Sequence, residues 1–407
     1  MTKADKEGQR KAPILRFKGF TDDWEQRKLQ NQVQFFSGLT YSPNDVKDVG
    51  TFVIRSSNIK DNTLVSADNV YVNPNIANSE PVKKDDVIMV VRNGSKGLIG
   101  KHALVTQKID NTVIGAFMTG IRSSTPYFLD VLLDTINFKK EIYKNLGATI
   151  NQITVGNLRK MTFKVPNESE KFKIGNLFKK LNYLLALYAK KSSCLDSCIA
   201  YFIRTFYDYQ QFFKQKNVQS SIVKSFKLND ILIKNNIRNK DSSILNVESI
   251  SNKEGFISQK KQFDNYQVAS KDLSNYYVIH PKDFAYNPSR INVGSIAYKN
   301  PNDVKGIVSP LYVSFKCKND IILDKYLWYW FKSANFEHQR VRLSEGGVRD
   351  TLSFNQLSKM KISIPSFEIQ KQTIKFLEIL IQYKEEIDLK LNNLKLIKNT
   401  LLQNMFL

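Results

Sequence analysis

Two kinds of hydrophobic spacing alternate along this chain, and they do so twice. Short β-type runs such as TFVIRSS, DVIMVV, SIAYK and LYVSF lie between loops of Gly, Asn, Pro and Asp, which predicts strands. Helical stretches interrupt them at 127–146 (YFLDVLLDTINFKKEIYKNL) and 325–336 (KYLWYWFKSANF). A different rhythm follows. Within 170–207 the positions Ile174, Leu177, Leu181, Leu184, Tyr188, Lys191, Leu195, Cys198 and Phe202 step by three and four. Within 368–406 the same steps link Leu377, Leu380, Lys384, Ile387, Leu391, Leu394, Lys398, Leu401 and Met405. Both are heptad seams on long helices, with no proline and with Gly175 as the single glycine. A helix of about 35 residues is ~50 Å long at ~1.5 Å per residue, too long for most domain cores. The simplest expectation is that the two helices pack on each other; the alternative is that each packs on its own domain.

The two halves are copies. NLRKMTFKVP (157–166) returns as QLSKMKISIP (356–365). Asn137-Phe138 is echoed by Asn335-Phe336, and LGATINQI (146–153) by EGGVRDTL (345–352). IGAFMTGIR (114–122) corresponds to VSPLYVSFK (308–316), IRSSNIKDNTL (54–64) to VESISNKEGFI (247–257), and WEQRKL (24–29) to FKL (226–228). Each match is weak alone, but all keep one order at offsets of 193 to 199, which defines a tandem duplication. Pro166 and Pro365 end the last strand of each copy; NESE (167–170) and SFE (366–368) then open each helix.

The expected fold class is therefore α+β, with mixed α/β globular parts. Residues 13–165 and 216–365 form the two domains, and 166–215 and 366–407 the spacer helices. If a pseudo-twofold axis relates the halves, the helices pair as an antiparallel coiled coil.

Charge adds a partner. Sixty-one Lys+Arg against 38 Asp+Glu leave a net +23, an excess that suits a polyanion. Nucleic acid fits, because neutralised phosphates release counterions. A membrane surface is the rival, and a Lys-rich, low-GC coding bias is the bland alternative. Cys194, Cys198 and Cys317 are too few and too scattered for a disulfide framework, which points to a reducing compartment. Cys194 and Cys198 read as small packing residues, since no His near them completes a metal set. MTKADKEGQRKA at the N-terminus reads as a loose basic tail, and no apolar run reaches 18 residues, so a cytoplasmic location is expected with no membrane.

Candidate chemistry sits on loops. RNGSKGLIGKH (92–102) approaches a phosphate loop but has Ser95 for the first glycine and His102 for the magnesium-binding hydroxyl. Arg92, Asn93, Ser95, Lys96 and Lys101 still suit DNA phosphates, or make an ordinary solvated turn. NPSRINVGS (287–295) occupies the corresponding place and offers Ser289, Arg290 and Asn292, where Arg can read guanine and Asn adenine. Its Asn-Pro can also simply set a turn. Asn151, Gln152 and Arg349, in the duplicated LGATINQI and EGGVRDTL segments, complete the DNA-contact candidates. NPSR lacks the second proline and the aromatic of an amino-methyltransferase motif, and no S-adenosylmethionine glycine loop is evident. His102, His280 and His338 are isolated, so no catalytic or metal constellation is assigned.

LRFKGFTDDWEQRKL (15–29), the RNGSKGLIGK loop, YNPSRINVGS (286–295) and the doubled strand–proline–helix junction together resemble the specificity subunit of Type I restriction–modification systems over nearly the whole chain. The resemblance implies two target recognition domains, each reading half of a bipartite asymmetric site in double-stranded DNA. It implies helices that space the domains and dock two modification (methyltransferase) subunits and the restriction (translocase/nuclease) subunits. S-adenosylmethionine, ATP and Mg²⁺ would belong to those partners, leaving this chain non-catalytic and without a cofactor. One departure stands out: the second copy keeps only FKL of the WEQRKL opening. Two other functions remain open at this stage: a self-contained DNA methyltransferase/nuclease, and an orphan DNA-binding coiled-coil scaffold.

Overall fold

In the computed structural model, strand Glu25–Lys28 pairs antiparallel with Thr162–Val165, tying the start of the first copy to its end. Leu29 then donates its backbone N–H to the Met161 carbonyl at 2.8 Å. The second copy repeats this closure: Val223–Lys227 pairs antiparallel with Lys361–Pro365, and Leu228 donates to Met360, also at 2.8 Å. The recurring Met thus marks a turn of chain that both repeats bury. Residues 12–146, 151–215, 223–252, 254–259, 272–344 and 351–406 are described. They form two compact units, one of Met1–Lys190 with Asp388–Leu407 and one of Lys191–Ile387.

In the first unit a fully antiparallel sheet runs in the order Gln34–Ser37, Met118–Arg122, Val87–Val90, His102–Leu104. VIMV at 87–90 is buried on both faces, as an uninterrupted apolar strand should be. Gly120 is required in the neighbouring strand, because a Cβ there would lie 1.9 Å from the Phe36 ring. A second sheet contains the parallel pair Thr51–Ile54 and Thr112–Ile114.

The helical stretch predicted over 127–146 is two helices, Pro126–Asp134 and Ile136–Asn145. Thr135 divides them. Its hydroxyl accepts the Phe138 N–H at 3.2 Å, an N-cap written inside an apolar run.

The second unit has the same plan. Leu232–Lys234, Val313–Cys317, Phe284–Tyr286 and Ile296–Tyr298 form the antiparallel sheet, and Val247–Ser251 with Gly306–Val308 the parallel pair of the other sheet. The predicted stretch 325–336 also divides, into Asp324–Trp330 and Ala334–Ser344. Phe284, Phe315, Trp330, Phe331 and Phe336 fill this core with ring pairs; Phe284 and Phe315 stack at 5.2 Å.

Two long helices, Glu168–Gln215 and Phe367–Asn404, follow the closing strands. Asn167 caps the first, its side-chain oxygen accepting the Glu170 N–H at 2.9 Å. Gly175 is explained by close approach: a Cβ would sit 2.8 Å from the Phe128 backbone nitrogen. In the first unit the end of the second helix and the residues just past it complete the core. Phe406 packs against Trp24, Phe128 and Phe178 with ring centroids 6.0, 5.7 and 6.3 Å apart. In the second unit Lys191 lies over Tyr383, Asp196 pairs with Lys384 at 3.3 Å, and Phe202 packs on Phe376 at 4.8 Å. From Lys191–Tyr383 to Phe202–Phe376 the numbers rise on one helix and fall on the other, so these segments run antiparallel.

Along the first helix Ile174 and Leu181 are buried, Leu177, Leu195 and Phe202 half-buried, and Leu184 exposed. A continuous covered stripe runs through 174, 178, 181, 185, 188, 192, 195, 199 and 202, with 175–177, 182 and 203 covered beside it. This differs from the predicted seam at every second step. A 3.5-residue period can be met by steps of 3 then 4 or 4 then 3, and Phe178, Leu185 and Ile199 realise the second. On the second helix Leu377 and Ile387 are buried and Leu380, Leu391, Leu394 and Leu401 half-buried. Cys194 and Cys198 are exposed, contrary to their expected packing role; their positions fall between the covered ones.

Candidate nucleic-acid interface

In the first unit, strand Val87–Val90 leaves its sheet at the rim and returns as His102–Leu104; RNGSKGLIGK is the loop between. Three separate segments meet this loop. From 151–153, Ile153 donates to the Val91 carbonyl at 2.9 Å, Asn151 accepts the Asn93 N–H at 3.2 Å, and its amide donates to the Gly94 carbonyl at 2.8 Å. Arg92 and Gln152 form an isolated antiparallel bridge. From the turn before Met118–Arg122, the Phe117 carbonyl accepts both the Val91 and Arg92 N–H groups, at 3.0 and 3.2 Å. From Ser56, the hydroxyl accepts the Asn93 amide at 3.1 Å.

The fold thus gathers Arg92, Asn93, Asn151 and Gln152, which the sequence separates by some sixty residues. It also sorts them. The Asn93 side chain is engaged internally, donating to Ser56 and accepting the Ser95 N–H at 3.0 Å, as an Asx turn. Arg92, Ser95 and Lys96 are exposed, and Lys101 is half-buried where the chain rejoins the sheet. The Arg92 guanidinium lies 5.0 Å from the centre of the Phe117 ring. Beside Phe117 opens a cavity of about 690 Å³, lined by Tyr41, Arg55, Ser56, Ser57 and other residues. Neither Phe117 nor the Arg55–Ser57 rim was legible as site material. One exposed apolar residue on a turn has no periodicity; only its exposure, read from the fold, picks it out.

The second unit builds the same rim from different letters. NPSRINVGS leaves strand Phe284–Tyr286 and returns at Ile296–Tyr298. Asn287 accepts the Ser289 N–H on its side chain at 3.0 Å, and Gly294 takes φ 84° to close the turn. Leu352 donates to the Pro288 carbonyl at 3.0 Å, the counterpart of Ile153 donating to Val91. Under the loop the Tyr286 hydroxyl donates to the Leu352 carbonyl at 3.0 Å, and burial pushes its pKa up. Ser289, Arg290 and Asn292 are exposed; Arg349 lies outside the described residues.

His102 is not a magnesium or phosphate group. It is buried with Nε2 3.6 and 3.8 Å from the carboxylates of Asp130 and Asp134. Among the described residues no three His, Cys, Asp or Glu could hold a metal, and no helix is long and apolar enough to cross a membrane.

Two sheets of one topology, each offering a cationic and amide-bearing loop at the same rim, and each followed by a long helix, define a duplicated DNA-recognition protein. The chain belongs to the Type I restriction modification DNA specificity domain family, whose pattern matches residues 21–195 and again 221–396. It is similar to the Type I restriction enzyme StySPI specificity subunit of Salmonella potsdam, 20% identical over 416 residues, 94% of this chain and 88% of that protein. The crystal structure of a Type I restriction–modification S subunit from M. genitalium matches with a TM-score of 0.61 at 13% identity, over 97% of this chain and 99% of that one. A solved structure described as underlying complex assembly and conformational transition of the type I R-M system matches at 0.52 and 14% identity, over 94% and 97%. With two tandem DNA specificity domains, the chain is the specificity subunit of such a system.

Proposed function

We propose that each repeat reads one half of a bipartite, asymmetric site in double-stranded DNA, and that the long helices pair as a coiled-coil spacer and docking surface. On this reading two modification subunits and the restriction subunits dock there, and the chain itself transfers no methyl group and cuts no bond. S-adenosylmethionine, ATP and Mg²⁺ then act in those partners. The observation that carries the reading is the pair of rim loops: same position in the fold, different side chains, Arg92 and Lys96 in one and Arg290 and Asn292 in the other. Unlike loops on like scaffolds suit a site with unlike halves. Half-site centres about one turn, ~34 Å, apart would let both loops enter the major groove on one face.

The test joins methylome sequencing with binding. Co-expressed with its methyltransferase, the chain is expected to direct methylation to one split motif. Alone, with labelled S-adenosylmethionine and DNA, it is expected to transfer no label. Lys96→Ala should lower the slope of log affinity against log salt by about one without changing the motif. Methyl transfer by the purified chain would overturn the non-catalytic assignment.

A further inference from the structure

The two repeats share one feature outside the loops. In the first unit the turn 115–118 is closed by the Met118 N–H donating to the Gly115 carbonyl at 2.9 Å, and it holds Phe117 at its tip, 54% exposed. In the second unit Tyr312 donates to Ser309 at 3.0 Å, and the tip is Leu311, 79% exposed. The tips correspond. Met118 pairs with Val90 and Val313 with Tyr286, so Phe117 continues that register opposite Val91, and Leu311 opposite Pro288. Each is therefore fixed beside the cationic loop of its own unit.

A large apolar side chain left in water at the same tip of two diverged copies gains nothing for either core. Its setting is cationic: Arg92 stands over the Phe117 ring, and Arg290 is exposed on the loop that passes Leu311. A polyanion brought in by those cations would meet the apolar tip next. The major groove displays one exposed apolar group, the 5-methyl of thymine.

We propose that Phe117 and Leu311 are specificity-determining residues, each contacting a thymine 5-methyl in the half-site read by its own repeat. This inference rests on the proposed DNA-reading function and names two of its contacts. Phe117 also holds Arg92, so guanidinium and ring present a polar and an apolar contact from one place.

The test uses the full chain with its methyltransferase. The motif is first read by methylome sequencing for wild type, Phe117→Ala and Leu311→Ala. Each variant is expected to relax one A·T position, in opposite halves. Uracil is then placed for thymine at that position in the duplex. Wild type should lose about fourfold in affinity, the scale of one buried methyl group. The alanine variant should lose nothing further, and Phe117→Met should keep part of the discrimination.

Several results overturn the proposal: full thymine-over-uracil discrimination by the alanine variants, both variants altering the same half, or a half-motif without an A·T pair. So does a loss of methylation with DNA affinity unchanged, which would make the tips contacts to a partner protein. If wild type itself bound no DNA with salt dependence, the functional reading would fail first and this inference with it.

Discussion

Lys299 and Glu248 form an enclosed ion pair, Nζ lying 2.8 and 2.7 Å from the two carboxylate oxygens, where the first repeat has Val105 and Ile54. The positions correspond: Lys299 donates its N–H to the Asp283 carbonyl as Val105 donates to Asp86, and Glu248 faces Val308 as Ile54 faces Ile114. One fold thus tolerates both solutions. Lys299→Val alone strands a buried carboxylate and is expected to cost about 3–5 kcal/mol in urea unfolding. Adding Glu248→Ile restores the first repeat's apolar pair and should recover most of that loss. A double variant no more stable than the single would refute this equivalence.

Glu170 anchors the opening segment. Its carboxylate accepts from Arg16 at 2.9 and 2.7 Å and from the Trp24 indole at 3.2 Å, and it is wholly buried. The second helix has Gln370 near its start instead, accepting the Leu323 N–H at 2.8 Å and donating to Pro365 at 3.0 Å. The second copy lacks the Trp of the opening, so a neutral amide serves where a carboxylate would lack that partner set. Arg16→Ala is expected to destabilise the chain by about 3 kcal/mol and Glu170→Gln by less. Equal losses in thermal unfolding would contradict the charge argument.

Asp130 carries a pH dependence. Burial raises its pKa from 3.8 to about 6; His102 and Lys398 pull it down, and Asp134 pushes it up. Between those two values the folded chain holds more protons than the unfolded one, so this group's contribution to stability falls as pH rises through that window. At pH 7.5 Asp130→Asn should therefore stabilise the protein, by about 1–3 kcal/mol. The gain should fade below pH 6 and vanish near pH 4. A gain that is flat across this range would exclude Asp130 as its source.

One heptad inserted in either long helix lengthens it by about 10 Å. Methylome sequencing is expected to show the gap of the motif shifted by up to about three base pairs, with both halves intact. An unchanged gap would remove the helices from the role of spacer.

Much of this architecture was legible. The doubled NLRKMTFKVP and QLSKMKISIP correspond to equivalent helix–Met–strand junctions because a repeat conserves the order of its turns. Stretch 127–146 reads as helical without showing its break, because Thr135, a cap, also sits comfortably among apolar neighbours. The first seam slipped at alternate steps because Leu177 and Phe178, or Leu184 and Leu185, offer two apolar choices side by side. The interface was half visible: loop cations announce themselves, whereas Ser56 and Phe117 join them only through sheet pairing.

The packing of Phe406 among Trp24, Phe128 and Phe178 also sets an order of events during synthesis. The first domain leaves the ribosome with its core still missing a ring that is translated more than 200 residues after Lys190. At about 5–20 residues per second, that leaves a wait on the order of 10–40 s. A premature stop anywhere in the second half would therefore injure the first domain too, and a nascent chain in that interval offers chaperones an open apolar seat.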